Sequence, residues 1–203
     1  MAVITISRQF GAGGKTLALK VAEKLHYTVA HEQIIEKMAE MAELTPQGIR
    51  IFEAESDYGS VDDVAKLAPK SFISRIFDPQ RKYMDAQQYA GLLNKIVPQI
   101  VEKGNIVVLG RGAQFILKDR KNTYHVLLVA DETDRIRFMQ ETYQLSYEQA
   151  RQAVAKQGKR RMKLMKLFHS EGYDLPEHYD LVLNMSKIDM GHAVELICAL
   201  IGE

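Results

Sequence analysis

The chain has 203 residues, a formal net charge of +1, 46% hydrophobic residues and a single cysteine, Cys198. That balance gives no global argument for a nucleic-acid or anionic-membrane partner, so any electrostatic function must come from local clustering. One cysteine excludes an internal disulfide and a cysteine-based zinc site, and Cys198 falls in an apolar C-terminal helical pattern where it reads as a packed side chain.

The first predicted element is a strand over Val3–Ile6, an apolar run suited to a buried parallel sheet. No charged segment with an apolar core precedes it, and no later apolar run approaches a bilayer span, so a cytoplasmic protein without a membrane partner is expected. Next comes Gln9-Phe10-Gly11-Ala12-Gly13-Gly14-Lys15-Thr16, a glycine-rich turn running into a helix over Lys15–His26 with Leu17, Val21 and Leu25 on one face. It reads as a phosphate-binding loop. Backbone N–H groups from Gly11, Ala12, Gly13 and Gly14 can surround phosphate oxygens, Lys15 can reach the outer phosphates, and Thr16 can hold Mg²⁺ by its hydroxyl. The full pattern asks for glycine five residues before Gly14, where this chain has Gln9. Sliding by one residue puts Arg8 at the opening glycine and Gly14 at the lysine position, so two registers compete.

A weaker strand over Tyr27–Ala30 leads to a helix over His31–Ala42. Residues 44–82 then break the rhythm. They lack a strand and carry Pro46, Pro69 and Pro79 among mixed charges, which predicts short helices and loops forming a substrate-covering insertion. The pattern resumes with a helix over Tyr83–Lys103, a strand over Asn105–Leu109 and the turn Gly110-Arg111-Gly112. A strand over His125–Val129, helices over Glu132–Tyr143 and Ser146–Phe168, a strand over Asp180–Leu183 and a helix over Met190–Ile201 complete the chain. Strand and helix alternate as in a doubly wound sheet, whose ligands bind beyond the carboxyl ends of the strands. The phosphate loop, Arg111 and Asp131 all fall there. Within residues 144–169, Lys156, Arg160 and Lys163 lie at i, i+4 and i+7, Lys159 and Lys166 extend the cationic surface, and Met162, Met165 and Phe168 mark another face. Coupled to a phosphate loop, such a stripe predicts a lid whose cations close over a transferred phosphate. The length suits one domain over residues 1–203, with the insertion at 44–82 and the lid at 144–169.

Three segments together resemble the cytidylate kinase-like family of P-loop nucleoside monophosphate kinases: Ile4-Thr5-Ile6-Ser7-Arg8-Gln9-Phe10-Gly11-Ala12-Gly13-Gly14, Val107-Val108-Leu109-Gly110-Arg111-Gly112-Ala113 and Tyr179-Asp180-Leu181-Val182-Leu183-Asn184. The resemblance implies a three-layer α/β/α P-loop NTPase fold with a five-stranded parallel sheet, a helical acceptor-binding insertion, an arginine-bearing lid and Mg²⁺-ATP as donor. It implies that Lys15 is the basic residue of the loop, that Arg111 contacts the acceptor phosphate, that Arg160 or Arg161 is the lid arginine, and that Asn184 lies near the adenine. Arg8, in the Ser-Arg-Gln motif, and His31 fall with Arg111 on the substrate side. The chain departs from the family in three places. His31 follows the second strand and Gly112 follows Gly-Arg where cytidylate kinases carry acids, and Gln157-Gly158-Lys159 lacks the lid aspartate. Asp131 and Glu132 remain as acids at a strand end, where they either cap the next helix or organise metal.

Phosphoryl transfer asks a protein for alignment and for cations on the moving group. The first expectation is therefore ATP-dependent transfer to a small phosphorylated acceptor, most simply a nucleoside monophosphate such as CMP or dCMP, with Lys15, Arg111 and Arg160 or Arg161 as the catalytic cations. A nucleoside monophosphate is already nucleophilic, so no catalytic base is required. The alternatives are a nucleotide-binding regulatory module with lost or weak turnover, and a P-loop kinase of another small metabolite. Near-zero net charge, and aromatic residues not interleaved with the basic ones, argue against a nucleic-acid partner. Small-molecule nucleotides are the expected partners; the oligomeric state stays open.

Overall fold

A computed structural model of the chain describes residues 1–55, 84–169 and 171–202. Five strands, β1 (Val3–Arg8), β2 (Thr28–Val29), β3 (Ile106–Leu109), β4 (Thr123–Val129) and β5 (Leu181–Asn184), form one parallel sheet in the order β2-β3-β1-β4-β5. The central strand β1 sets the register: Val3 pairs with Ile106 on one side and with Thr123 on the other. A parallel strand covered on both faces must be apolar on both, and Val3, Ile4 and Ile6 are all fully buried.

Period-two alternation divides the strand side chains between two cores. Val3, Ile106 and Val108 pack with α2 (Glu32–Ala42), α3 (Pro46–Glu55), α4 (Ala86–Ile100), the short α5 (Ala113–Ile116) and the C-terminal part of α7 (Tyr147–Phe168). Ile4, Ile6, Val107, Val126, Leu128 and Leu183 pack with α1 (Gly14–Leu25) and α8 (Met190–Leu200). The result is the three-layer α/β/α sandwich expected from the sequence. A third, smaller cluster joins Ile136 and Met139 of α6 (Glu132–Tyr143) to Ala150 and Val154 of α7, with Phe10 of the glycine-rich turn packed against it.

Local chemistry decides where the helices start. Asp85 and Ser146 each accept a hydrogen bond from the backbone N–H three residues on, and the side-chain oxygens of Gln88 and Gln149 accept one from the N–H of the cap residue, so α4 begins at Ala86 and α7 at Tyr147. Of the predicted insertion at 44–82, Pro46–Glu55 forms α3; residues 56–82, with Pro69 and Pro79, lie outside the described residues, as does Tyr83, the predicted start of the next helix. Among the described residues no helix is long and apolar enough to cross a membrane.

Candidate functional site

The glycine-rich turn joins the C-terminal end of β1 to α1. Gly13, in the left-handed region at φ 78°, is the N-cap, and Gly14, Lys15 and Thr16 fill the first turn. No side chain caps α1, and no acid sits in its first turn, whereas Asp85, Ser146 and Asp189 cap α4, α7 and α8. The first-turn N–H groups of α1 therefore point into the loop without a side-chain acceptor, which is the arrangement an anion needs. Lys15 is exposed at that helix start, and with Thr16, Arg8, Gly13 and Tyr143 it lines a small cleft over the loop. This geometry favours the register with Gly14-Lys15-Thr16 at the helix start. In the shifted register Gly14 would take the lysine position, yet Gly14 is buried, and a Cβ there would come within 2.8 Å of Arg8 Cγ.

Gln9, which stands where the pattern asks for glycine, serves as an anchor. Its Oε1 accepts from the Ala130 N–H at 3.0 Å and its own N–H donates to the Leu128 carbonyl at 2.9 Å. Arg135 of α6 completes the tie, donating to the carbonyls of Ala130 at 3.1 Å and Phe10 at 3.4 Å. The phosphate loop is thus fastened to the β4–α6 junction, a role for Arg135 that carries no periodic signal in the sequence.

A second cleft opens beyond the ends of β1 and β3 and shares Arg8 and Phe10 with the loop cleft. Ser7, His31, Glu53, Gly110, Arg111, Gln157 and Arg161 contribute to its walls. The fold thus gathers Arg8, His31, Arg111 and Arg161 in one place, as the sequence suggested. It leaves Arg160 out. On α7 the four lysines Lys156, Lys159, Lys163 and Lys166 are exposed, while Arg160 shares the buried face with Gln157, Leu164 and Met165. The stripe read from i, i+4, i+7 spacing is therefore split, because the rotation of α7 is set by Leu164 and Met165 entering the main core. Met162, assigned to the apolar face, is 37% exposed for the same reason.

Two acids that the sequence did not single out pair with the arginines of this cleft. Glu53 of α3 takes both prongs of Arg111, from Nε at 3.1 Å and Nη2 at 3.0 Å, while Arg111 Nη1 donates to the His31 carbonyl at 3.2 Å. The Tyr89 hydroxyl donates to the same Glu53 carboxylate at 2.7 Å. The open two-pronged phosphate contact implied for Arg111 is thus already filled by a carboxylate, and Arg111 is 8% exposed. Asp174, beyond the end of α7, takes the guanidinium of Arg161 in the same bidentate way, and Arg161 Nη2 also donates to Ser7 Oγ at 3.0 Å. A hint of Glu53 was present in the sequence: it lies four residues after Ile49, which is fully buried, and an acid on the apolar face of a helix implies a buried partner. Asp174 sits in a turn and offers no such hint.

Burial and these ion pairs set the charge states. Burial opposes the charge on Arg111 and on Arg161, but Glu53 and Asp174 outweigh it and hold both guanidiniums above their ordinary value. Burial, then the nearby Arg111 charge, pushes the His31 imidazole down to about 4, so it is neutral near pH 7. The folded chain then binds fewer protons at His31 than the unfolded chain. Stability is full above the ordinary imidazole value of 6.5 and falls as the pH drops from there through about 4. His31→Gln is expected to flatten that stretch of the stability profile, measured as urea midpoints at about pH 7 and about pH 4.5. An unchanged slope would mean that another group carries it.

Glycine is required at the mouth of this cleft. Gly110 has φ +69°, and a Cβ there would fall 2.0 Å from Arg8 Nη1; at Gly112, φ +68°, it would fall 2.4 Å from the Phe168 ring. Gly110→Ala is expected to cost about 1–2 kcal/mol for the left-handed backbone alone, with a further loss of anion affinity as Arg8 is displaced. Urea unfolding and phosphate titration measure the two parts separately.

A third hollow lies on the other side of the loop, between Gly11, Ala12 and Gly13, Phe138 of α6, and Met185, Ser186 and Met190 after β5. Asn184 acts one step back from it. Its Oδ1 accepts from the Ser186 N–H at 3.0 Å, and Ser186 Oγ accepts from the Asp131 N–H at 2.8 Å, which ties the β5–α8 turn to the start of α6. Asp131 is thus the residue preceding α6, without a side-chain cap bond. Among the described residues no group of three or more His, Cys, Asp or Glu could hold a metal ion.

A glycine-rich loop at the end of the central strand of a β2-β3-β1-β4-β5 parallel sheet is the three-layer α/β/α P-loop fold expected from the sequence. Over residues 3–187 the sequence matches the model of the cytidylate kinase-like family, and the chain belongs to that family. No curated protein matches it by sequence. Among solved structures, an uncharacterized protein from Eubacterium ventriosum ATCC 27560 superposes with a TM-score of 0.66 at 20% identity, covering 99% of this chain and 98% of that one. Shikimate kinase from Bacteroides thetaiotaomicron gives 0.52 at 13% identity, covering 100% and 99% of the two chains. Shikimate kinase from Acinetobacter baumannii in complex with shikimate gives 0.53 at 16% identity, covering 99% and 93%. At such identities the likeness shows the fold; the family match supports small-molecule phosphoryl transfer.

Proposed function

We propose that the chain transfers the γ-phosphoryl group of ATP to a small phosphorylated acceptor, most simply CMP or dCMP. The observation that carries this reading is the continuity of two clefts: Arg8 and Phe10 line both the uncapped phosphate loop and the cleft that holds Arg111 and Arg161. A donor phosphate chain on the loop would end beside the arginines. The hollow beside Gly13, walled by Phe138 and Met190, suits the apolar faces of a nucleobase. Lys15 would sit on the outer donor phosphates and Arg161 on the transferring group, while Arg8, His31 and Arg111 form the acceptor side. Arg160, which lies on the buried face of α7, is given no part in the chemistry.

The residues present fit a metal carried by the nucleotide better than a resident one, since Thr16 lines the loop cleft beside Lys15 and no acidic cluster stands near it among the described residues. Mg²⁺ binds through few protein groups plus substrate phosphates, and its chemistry there is to neutralise phosphate oxygens; Thr16 is the residue that would hold it. Residues 44–82 and 144–169 are proposed as the acceptor-binding and lid segments of a single domain over residues 1–203. Mg²⁺-ATP offered with CMP, dCMP, other nucleoside monophosphates and hydroxyl-bearing small metabolites, with ADP release as the readout, tests the proposal. Acceptor-dependent ADP formation with a nucleoside monophosphate supports it. ATP binding without turnover on any acceptor favours a regulatory module instead, and turnover only on a hydroxyl acceptor favours another metabolite kinase.

A further inference from the structure

Among the described residues, three guanidiniums line the acceptor cleft, and two of them are already matched by carboxylates. Arg111 gives both prongs to Glu53, which is 3% exposed and also bonded by the fully buried Tyr89; Arg161 gives both terminal nitrogens to Asp174. His31 adds no charge near neutral pH. Neither carboxylate serves the transfer chemistry, and both come from segments outside the phosphate loop and the strand-end motifs. We propose that Glu53 and Asp174 are specificity-determining residues that lower the positive charge of the acceptor cleft, so that it accepts an acceptor bearing one phosphate group and rejects more highly charged anions such as a diphosphate.

The physical basis is that a bidentate carboxylate occupies the same N–H groups that a phosphate would use, and cancels the charge that would attract it. Without these two acids, three guanidiniums near the donor phosphates would hold a polyanion tightly and release product slowly. With them, an incoming phosphate meets arginines held in fixed orientation but electrostatically damped. The inference rests on the acceptor-cleft reading above, and its test does not depend on turnover.

The test is calorimetric titration of the full chain and of Glu53→Gln and Asp174→Asn with inorganic phosphate and with pyrophosphate. Each variant keeps the size of the side chain and removes one negative charge. The expected result is that pyrophosphate binds each variant about tenfold more tightly than the parent, with a smaller gain for phosphate, so that the preference shifts toward the more charged anion. Asp174→Asn provides a second reading if Glu53→Gln, which alters a buried pair, does not fold. Glu148→Gln is the control, because Glu148 is an exposed acid at the other end of α7, paired with Arg151. An equal gain in that control, or unchanged or weaker pyrophosphate binding in the folded variants, would overturn the proposal. A charge-dependent gain in a chain that turns over no acceptor would uphold the cleft's charge setting and refute the kinase reading alone.

Discussion

Arg161→Ala is expected to lower kcat by roughly 10³-fold, and Arg160→Ala, one residue earlier on the same helix, to leave kcat nearly unchanged while destabilising the fold. Arg161 lines the cleft beside Arg8 and reaches the end of β1 through Ser7; in the proposed function its charge acts on the negative charge that develops on the transferring phosphoryl group. Arg160 is 3% exposed on the face of α7 that packs inward, and its removal deletes buried stem and polar contacts, a loss of about 1–3 kcal/mol. Paired kcat and urea measurements on the two variants separate the effects. Comparable losses of kcat in both, or a larger one in Arg160→Ala, would refute the assignment of Arg161. Arg161→Lys should recover only part of the rate, because lysine keeps the charge without the fork that spans Asp174 and Ser7.

Lys15→Ala is the second large effect. The loop already offers first-turn N–H groups free of side-chain capping, so some nucleotide affinity should survive. Lys15 provides an exposed cation at that helix start, and losing a charge-assisted contact to phosphate weakens ATP binding roughly 10- to 100-fold. Phosphoryl transfer should fall below detection, since the same cation is needed on the outer phosphates as they separate. Titration of ATP into the folded variant is the measurement. Unchanged affinity would make Lys15 a surface residue and put the loop in the wrong register.

The sheet and its helices were legible because buried parallel strands must be apolar and surface helices must alternate with a 3.6-residue period. Val3–Ile6 lengthens to Val3–Arg8, and Ser146 proves to be a cap preceding α7, yet strand and helix identity follow directly from those patterns. The site was half legible. Local motifs announce a phosphate loop, and a glycine pair announces Arg111, because backbone geometry constrains neighbouring residues. Pairing across the fold has no such signature. Glu53 meets Arg111 across 58 positions of sequence, and Arg161 meets Ser7 across 154. The choice between Arg160 and Arg161 was equally hidden, because helix rotation depends on which of Leu164, Met165 and Lys163 the core admits.

The ring of Phe168, seated over Gly112, has a mechanical meaning. It clamps the last turn of α7 to the end of β3, close to where Leu164 and Met165 enter the main core, whereas Ala150 and Val154 near the other end belong to the smaller cluster with Ile136 and Met139 of α6, against which Phe10 packs. If the hairpin of α6 and α7 swings, its fulcrum is the C-terminal end of α7, and the far tip near Tyr147 sweeps the long arc. Arg161 rides seven residues from the fulcrum, where the arc is short. Such a lever can admit and expel ligands at its tip while hardly moving the guanidinium beside β1, so the charge stays aimed throughout the stroke.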